Sequence, residues 1–209
     1  MFDAFTSDEI LKDLPLQIES IATHDSTLLV GTKQGTLLVY SLEQNNKVNL
    51  LHTKKYFGKK SITQLGVLKK VDSLIVSLSD FVVSIHSYRV SPSSIELKVL
   101  LAKTRGATIF TLHEFTDNER NMAQLAVAVR KKIIFYQWSR KGEPIEIKEI
   151  SLYDIPKALS FAGKAYSDCL FIGFKSKYSQ LKISTGNIEE LFPTGQVQTL
   201  IVSLFNLKC

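Results

Sequence analysis

Four times along the chain a leucine, a second apolar residue, a Val or Ile and a small residue stand in a row. The quartets are Leu28-Leu29-Val30-Gly31, Leu74-Ile75-Val76-Ser77, Leu125-Ala126-Val127-Ala128 and Leu170-Phe171-Ile172-Gly173, with the small residue recurring at intervals of 46, 51 and 45. Each quartet is followed by a polar turn and a second apolar run. Reading apolar runs as strands and Gly, Asp, Asn and Lys clusters as turns predicts four rounds of four strands. The rounds are 18–22, 27–31, 36–41 and 47–53; then 62–67, 74–79, 82–87 and 95–102; then 108–115, 124–129, 133–138 and 144–151; and finally 157–161, 168–173, 178–183 and 187–191. A period of about 45 residues filled with strands is the mark of propeller blades.

The second strand of each round is nearly all apolar, as a strand buried on both faces requires. Its terminal small residue is expected where converging blades leave no room for a larger side chain. No long segment has the 3.6-residue period of an amphipathic helix, although residues 8–14 have the pattern of one or two helical turns. Residues 199–204 resemble the first strand of a fifth round. The fold class is therefore all-β: about four four-stranded blades over residues 1–195, the N-terminal part of a larger propeller, with 196–209 an incomplete or divergent tail.

Composition changes this picture little. The 209 residues are 44% hydrophobic and 22% charged, an ordinary globular balance. The N-terminus lacks the basic start and apolar stretch of a signal peptide, and no apolar run nears the roughly 20 residues that span a bilayer. Two cysteines, Cys169 and Cys209, give neither a disulfide framework nor a metal-ligand spacing. Cys169, inside an apolar strand, reads as a buried thiol. An intracellular, soluble protein is expected.

Candidate chemistry is thin. The four histidines, His24, His52, His86 and His113, fall in different rounds, with no ligand spacing for zinc. Gly31-Thr-Lys-Gln-Gly35 hints at a phosphate loop, but a strand follows where a P-loop needs a helix, so a hairpin turn is the better reading. The carboxylates sit mainly in peripheral loops rather than as a catalytic pair. Trp138 ends a strand and reads as core. No enzyme activity, cofactor or metal is expected.

Charge carries more information. In a four-stranded blade the turn joining strands two and three lies at the same end as the loop to the next blade. That end collects Lys33, Lys54, Lys55, Lys59, Lys60, Lys103, Arg105, Arg130, Lys131, Lys132, Lys175 and Lys177 against Asp80 and Asp154. The rest of the chain carries 14 basic and 18 acidic residues, so the asymmetry exceeds the net charge of +6. Lys33, Lys59, Lys60, Arg105, Arg130, Lys131, Lys132, Lys175 and Lys177 are the candidate docking face. A one-signed end attracts an acidic protein or an anionic membrane. Nucleic acid is not expected, because the basic loops are not interleaved with exposed stacking aromatics.

Particular residues resemble a known family. Leu14-Pro-Leu-Gln-Ile18 and Leu28-Leu-Val-Gly-Thr-Lys-Gln-Gly-Thr-Leu-Leu-Val-Tyr40 are similar to the start of the citron homology (CNH) domain of Vam/Vps-type vacuolar and lysosomal sorting subunits. Further matches are Lys103-Thr-Arg-Gly-Ala107, Val127-Ala-Val-Arg-Lys-Lys132, Asp154-Ile-Pro-Lys157, Ile172-Gly-Phe-Lys175 and Glu190-Leu-Phe-Pro-Thr-Gly195, in family order. The resemblance implies an N-terminal propeller of the Rab-binding subunit of the HOPS tethering complex. Its implied partners are a small GTPase of the Rab family and, through regions beyond this chain, other HOPS subunits. Its implied roles are vesicle-mediated transport, endosome-to-lysosome traffic and autophagy, on the cytoplasmic side of late endosome and lysosome or vacuole membranes. A scaffold propeller of a CORVET-side or receptor-associated signalling protein shares the domain and is the alternative.

Overall fold

The computed structural model describes residues 9, 11, 14, 16–43, 47–89, 94–140, 142–163 and 167–193. The strand expected over 199–204 and most of the helical turn expected over 8–14 lie outside them. Every apolar run of the four rounds forms a strand, and the strands pair in chain order into four antiparallel sheets. Blade 1 holds β1 (Ile18–His24), β2 (Thr27–Thr32), β3 (Leu37–Leu42) and β4 (Val48–Lys54). Blade 2 holds β5 (Ile62–Leu68), β6 (Leu74–Ser79), β7 (Val82–Arg89) and β8 (Ser94–Leu101). Blade 3 holds β9 (Ala107–Asp117), β10 (Arg120–Val129), β11 (Lys132–Ser139) and β12 (Ile145–Ser151). Blade 4 holds β13 (Ala158–Phe161), β14 (Cys169–Gly173), β15 (Lys177–Lys182) and β16 (Ile188–Pro193). A single 3-10 turn, Ala102–Thr104, links blades 2 and 3. The protein is all-β, and its four sheets are consecutive propeller blades.

Successive blades pack through apolar seams. Leu29, Leu37 and Val39 of blade 1 meet Ile62, Leu65 and Ile75 of blade 2. Val76, Leu78 and Val83 of blade 2 meet Phe110, Leu125 and Val127 of blade 3. Ala126, Ile133 and Phe135 of blade 3 meet Phe161, Leu170 and Ile172 of blade 4. The other side of blade 1, formed by Leu28, Val30, Leu38 and Tyr40, is covered by Leu11, Leu14 and Leu16. Strands β2 and β6 are buried along their whole length, so both faces are covered. In β14 only alternate positions are fully buried before Gly173.

One expectation needs correction. Gly31 pairs with Ser20 and Leu37, and Ala128 pairs with Ile109 and Ile133. In blade 2 the residue holding that place is Leu78, opposite Gln64 and Val83, and not Ser77. The quartet there is displaced by one residue, which turns every side chain to the other face. Accordingly Ile75 faces blade 1 whereas Val76 faces blade 3. Leu78 extends the run one residue past Ser77, and the whole of β6 is buried, so the pattern does not mark the shift. The common anchor is a bulge in the first strand, between Ile18 and Ser20 in β1 and between Ile62 and Gln64 in β5. A second correction is local: Cys169 is half-buried at the start of β14 rather than fully enclosed.

Candidate docking surface

The end of the blades that carries the positive charge is built by one recurring contact. In blades 1 to 3 the turn between the second and third strands is hydrogen-bonded through its backbone to the loop that leads to the next blade. Gly58 N–H donates to Gly35 O at 3.0 Å, Gly106 and Ala107 N–H to Phe81 O at 2.8 and 3.0 Å, and Leu152 N–H to Lys131 O at 2.8 Å. In blade 4, Lys157 N–H donates to Gly173 O at 2.7 Å. The turns and the inter-blade loops thus form one layer. The Gly31–Gly35 segment is a hairpin turn, as its sequence suggested: Gly35 has φ of +76°, and a Cβ there would run into the carbonyl of Gly58.

Within this layer the candidate residues differ in availability. Lys33 lies in the β2–β3 turn, Lys59 and Lys60 in the β4–β5 loop, Arg105 after the 3-10 turn, Arg130 and Lys131 in the two-residue β10–β11 turn, and Lys175 in the β14–β15 turn. Lys132 and Lys177 are the first residues of β11 and β15. Lys60, Lys132 and Lys177 are compensated internally. Lys60 Nζ lies 2.8 Å from Asp80, Lys132 Nζ 3.0 Å from Glu149, and Lys177 Nζ 2.8 Å from Glu190. Lys177 also sits 4.6 Å from the centre of the Tyr153 ring. The hydrogen bond from Lys60 holds the Asp80 carboxyl below its ordinary range, with Lys59 and Arg105 adding to the effect. Lys33, Lys59, Arg105, Arg130 and Lys131 are exposed and make no ion pair among the described residues. The acids that pair with Lys132 and Lys177, Glu149 and Glu190, come from the outer strands and are brought alongside only by the register of the folded sheet.

Among the described residues three exposed aromatic rings stand in this layer, Tyr56, Phe81 and Tyr153, a correction to the reading that its basic loops lack them. Tyr56 is 92% exposed and Phe81 is 64% exposed, and both have positive φ, +58° and +59°. A bulky residue in that backbone region is uncommon, and exposing it forgoes burial as well. The signal in the sequence was Tyr56-Phe57 between lysine pairs, at 54–55 and 59–60.

The opposite end is not free of positive charge. A polar cleft of about 420 Å³ there is lined by Lys69, Lys70, Arg89 and Arg140 with Asp72. Lys69 is paired with Asp25 at 3.1 Å, and the backbone N–H groups of Lys69, Lys70 and Val71 all donate to the Glu114 carboxylate. This clamp ties blade 2 to blade 3.

The histidines occupy unrelated places. His24 is buried edge-on to Tyr88, His86 is buried beside Ser84, His113 lies near Phe115 and Phe161, and His52 is on the outer strand β4. Among the described residues no three His, Cys, Asp or Glu side chains gather as for a metal ion, and no helix is long and apolar enough to cross a membrane. Trp138 is core, packed with Leu74, Ile85 and Val127.

A family model described as "CNH domain" matches residues 24–204. The chain belongs to the CNH domain family. A Vam6/Vps39-like protein of Mus musculus is 32% identical across the whole chain, and its Homo sapiens counterpart 31%. A vacuolar protein sorting-associated protein 39 homolog of Drosophila melanogaster is 30% identical over 88% of the chain. The CNH chain spans about a quarter of the length of these relatives, 24% of the first two and 21% of the third. Among solved structures, Saccharomyces cerevisiae Sqt1 aligns with a TM-score of 0.64 at 12% identity, over 87% of this chain and 48% of its own. The computationally designed Ika4 protein aligns at 0.52 and 15% identity, over 90% of this chain and 99% of its own. These structural likenesses show the shared fold alone.

Proposed function

We propose that this CNH propeller is a non-enzymatic, partner-binding module of endolysosomal membrane tethering, and that it docks a small GTPase of the Rab family through the basic end of its blades. The observation that carries the reading is the alignment with Vam6/Vps39-like proteins at 31–32% identity through the entire chain. A transforming growth factor-beta receptor-associated protein 1 homolog of Danio rerio aligns at 26% over 85% of the chain, which favours tethering over the receptor-associated alternative. Exposed Lys33, Lys59, Arg105, Arg130 and Lys131 suit an acidic protein surface and would speed its encounter. Lys175 extends the same layer, and peripheral contact with anionic membrane is compatible with it. In this reading other HOPS subunits join through other parts of a longer protein, the protein works at late endosome and lysosome or vacuole membranes, and autophagic fusion is among its uses.

The test is a pull-down of purified endolysosomal GTPases, each loaded with GTP analogue or GDP, on the immobilised chain. Nucleotide-dependent capture of one or a few of them supports the reading. Absence of capture for every GTPase in both states contradicts it.

A further inference from the structure

Between the end of β4 and the outer part of blade 2 the seam opens into a groove of about 850 Å³, within the size range of ligand-binding clefts. Its walls carry aromatic and apolar side chains. One is the β4–β5 loop, which holds Tyr56 at the mouth and packs Phe57 4.2 Å from the ring of His86. The other is β8, the strand that ends the blade 2 sheet, which presents Leu97 and Leu100 at 60% and 45% exposure. The rim carries Lys54, Lys59 and Arg105.

The charges of the groove do not cancel. Of its two acids, Asp80 is already bonded to Lys60, leaving Glu96 against three cations. The inner wall is uncharged near neutrality. His86 is hydrogen-bonded with Ser84 at 2.9 Å, and Ser84 with Ser77 at 2.9 Å, while burial and the neighbouring Lys54 push the His86 pKa down to about 4. An uncharged inner wall flanked by Phe57, Leu97 and Leu100 under a cationic rim complements a ligand that is apolar on one side and anionic on the other. Among the described residues β8 is the last strand of its sheet, an edge along which an extended chain can align.

We propose that this groove binds a short extended peptide segment of a partner protein in which acidic residues alternate with bulky apolar ones. Apolar side chains rest on Phe57, Leu97 and Leu100, with Tyr56 closing over them. Carboxylates on the alternate side meet Lys54, Lys59 and Arg105. The inference rests on the reading of the chain as an interaction module; the groove shares Lys59 and Arg105 with the surface proposed for the GTPase, and what sets it apart is its apolar lining of Tyr56, Phe57, Leu97 and Leu100.

The test is fluorescence anisotropy of the whole chain with a fluorescein-labelled peptide of about a dozen residues that alternates Glu with Leu and Phe. The wild type should bind it, and the double variant Tyr56→Asn with Leu97→Ser should bind at least about tenfold more weakly. Both side chains are exposed and Asn tolerates positive φ, so the fold should survive, which circular dichroism checks. Lys59→Glu with Arg105→Glu should weaken binding to a similar degree, while Lys33→Glu should leave it within about twofold. A peptide with Ser in place of Leu and Phe should not bind. The proposal is overturned by no binding of the Glu–Leu–Phe peptide, by equal binding of the serine peptide, or by losses from Lys33→Glu as large as those from the groove variants. Phosphatidylserine vesicles that bind through Tyr56 and Leu97 when the peptide does not would also overturn it. Failed GTPase capture with intact peptide binding would contradict the GTPase reading and leave the groove standing; the converse result would remove only the groove.

Discussion

A Cβ atom built on Gly31 would stand 2.8 Å from Cγ2 of Ile62 in the next blade, closer than such atoms approach. Ser20 Oγ of the same sheet would be nearer still, at 2.5 Å, so the small residue ending β2 is dictated by its own first strand and the neighbouring blade together. In blade 4 the reason differs: a Cβ on Gly173 would meet Ala158 and Tyr178 of its own sheet, at 3.1 and 3.3 Å. In blade 2 the same place holds a large residue, Leu78, sunk into the seam with blade 3. Gly31→Ala should destabilise the chain by about 1–3 kcal/mol through overpacking, whereas Leu78→Ala should lose about 2–5 kcal/mol by leaving a cavity. Urea unfolding of the two variants checks both. A neutral Gly31→Ala would mean that the first seam is loose.

Side-chain amides join blades where strands cannot. Gln124 donates to Ser167 O and accepts from Ser167 N–H, both at 3.1 Å, across the seam between blades 3 and 4. Gln64 does the same with Phe110 across the preceding seam, at 2.7 and 2.9 Å. Replacing either with Leu leaves a backbone donor and acceptor without partners, which costs about 1–3 kcal/mol for each group that stays buried. Gln124 is 2% exposed whereas Gln64 is half-buried, so Gln124→Leu should be the more damaging change in thermal unfolding. Equal, small losses would show that water replaces both.

His86 makes stability depend on pH. Its pKa in the folded chain is about 4, below the ordinary 6.5, through burial and then the charge of Lys54. Below pH 6.5 the unfolded chain binds the proton first. Stability should therefore fall as pH drops from about 6.5 towards 4 and level off beneath that, by about 3 kcal/mol at most. Asp25 and Asp80, held low by Lys69 and Lys60, lose their contributions only below 3.8 and do not confuse the window. Urea unfolding between pH 7 and pH 4.5 should show the slope in the wild type and a flatter one in His86→Gln. Parallel slopes would assign the effect elsewhere.

Blade 4 should be the least protected from hydrogen exchange. Strands β2 and β6 are buried throughout, and β10 from Ala123 to Val129, whereas Cys169 and Phe171 of β14 are only half-buried. A sheet with one well-covered face opens more readily. Amides of β14 and β15 should exchange faster than those of β10 and β11. Equal protection would show that the far face of blade 4 is as well packed as the rest.

The blades were legible in the sequence because each strand carries its own apolar run and each turn its own polar break. Those are local properties, and all sixteen strands follow from them. The register of blade 2 was not legible, since Leu74 to Ser79 is buried on both faces and a bulge near Thr63 sets the pairing. The charged end was legible for the same topological reason as the blades. Its chemistry was not: the pairing of Lys132 with Glu149 and of Lys177 with Glu190 depends on outer strands, and the groove depends on two blades meeting. Tyr56 and Phe81 look like ordinary turn neighbours in the chain until their exposure and positive φ are known.

The most direct test of the account is the association rate of the captured GTPase with this chain, measured by surface plasmon resonance at low salt and at 0.15 M, where screening reaches about 8 Å. Lys33→Glu with Arg130→Glu and Lys131→Glu should slow association at least about tenfold, and added salt should slow the wild type more than the variant. Lys70→Glu with Arg140→Glu, at the opposite end, should change the rate by less than about twofold. Equal slowing by both sets would reduce the effect to net charge, and an unchanged rate for the first set would contradict docking at the basic end.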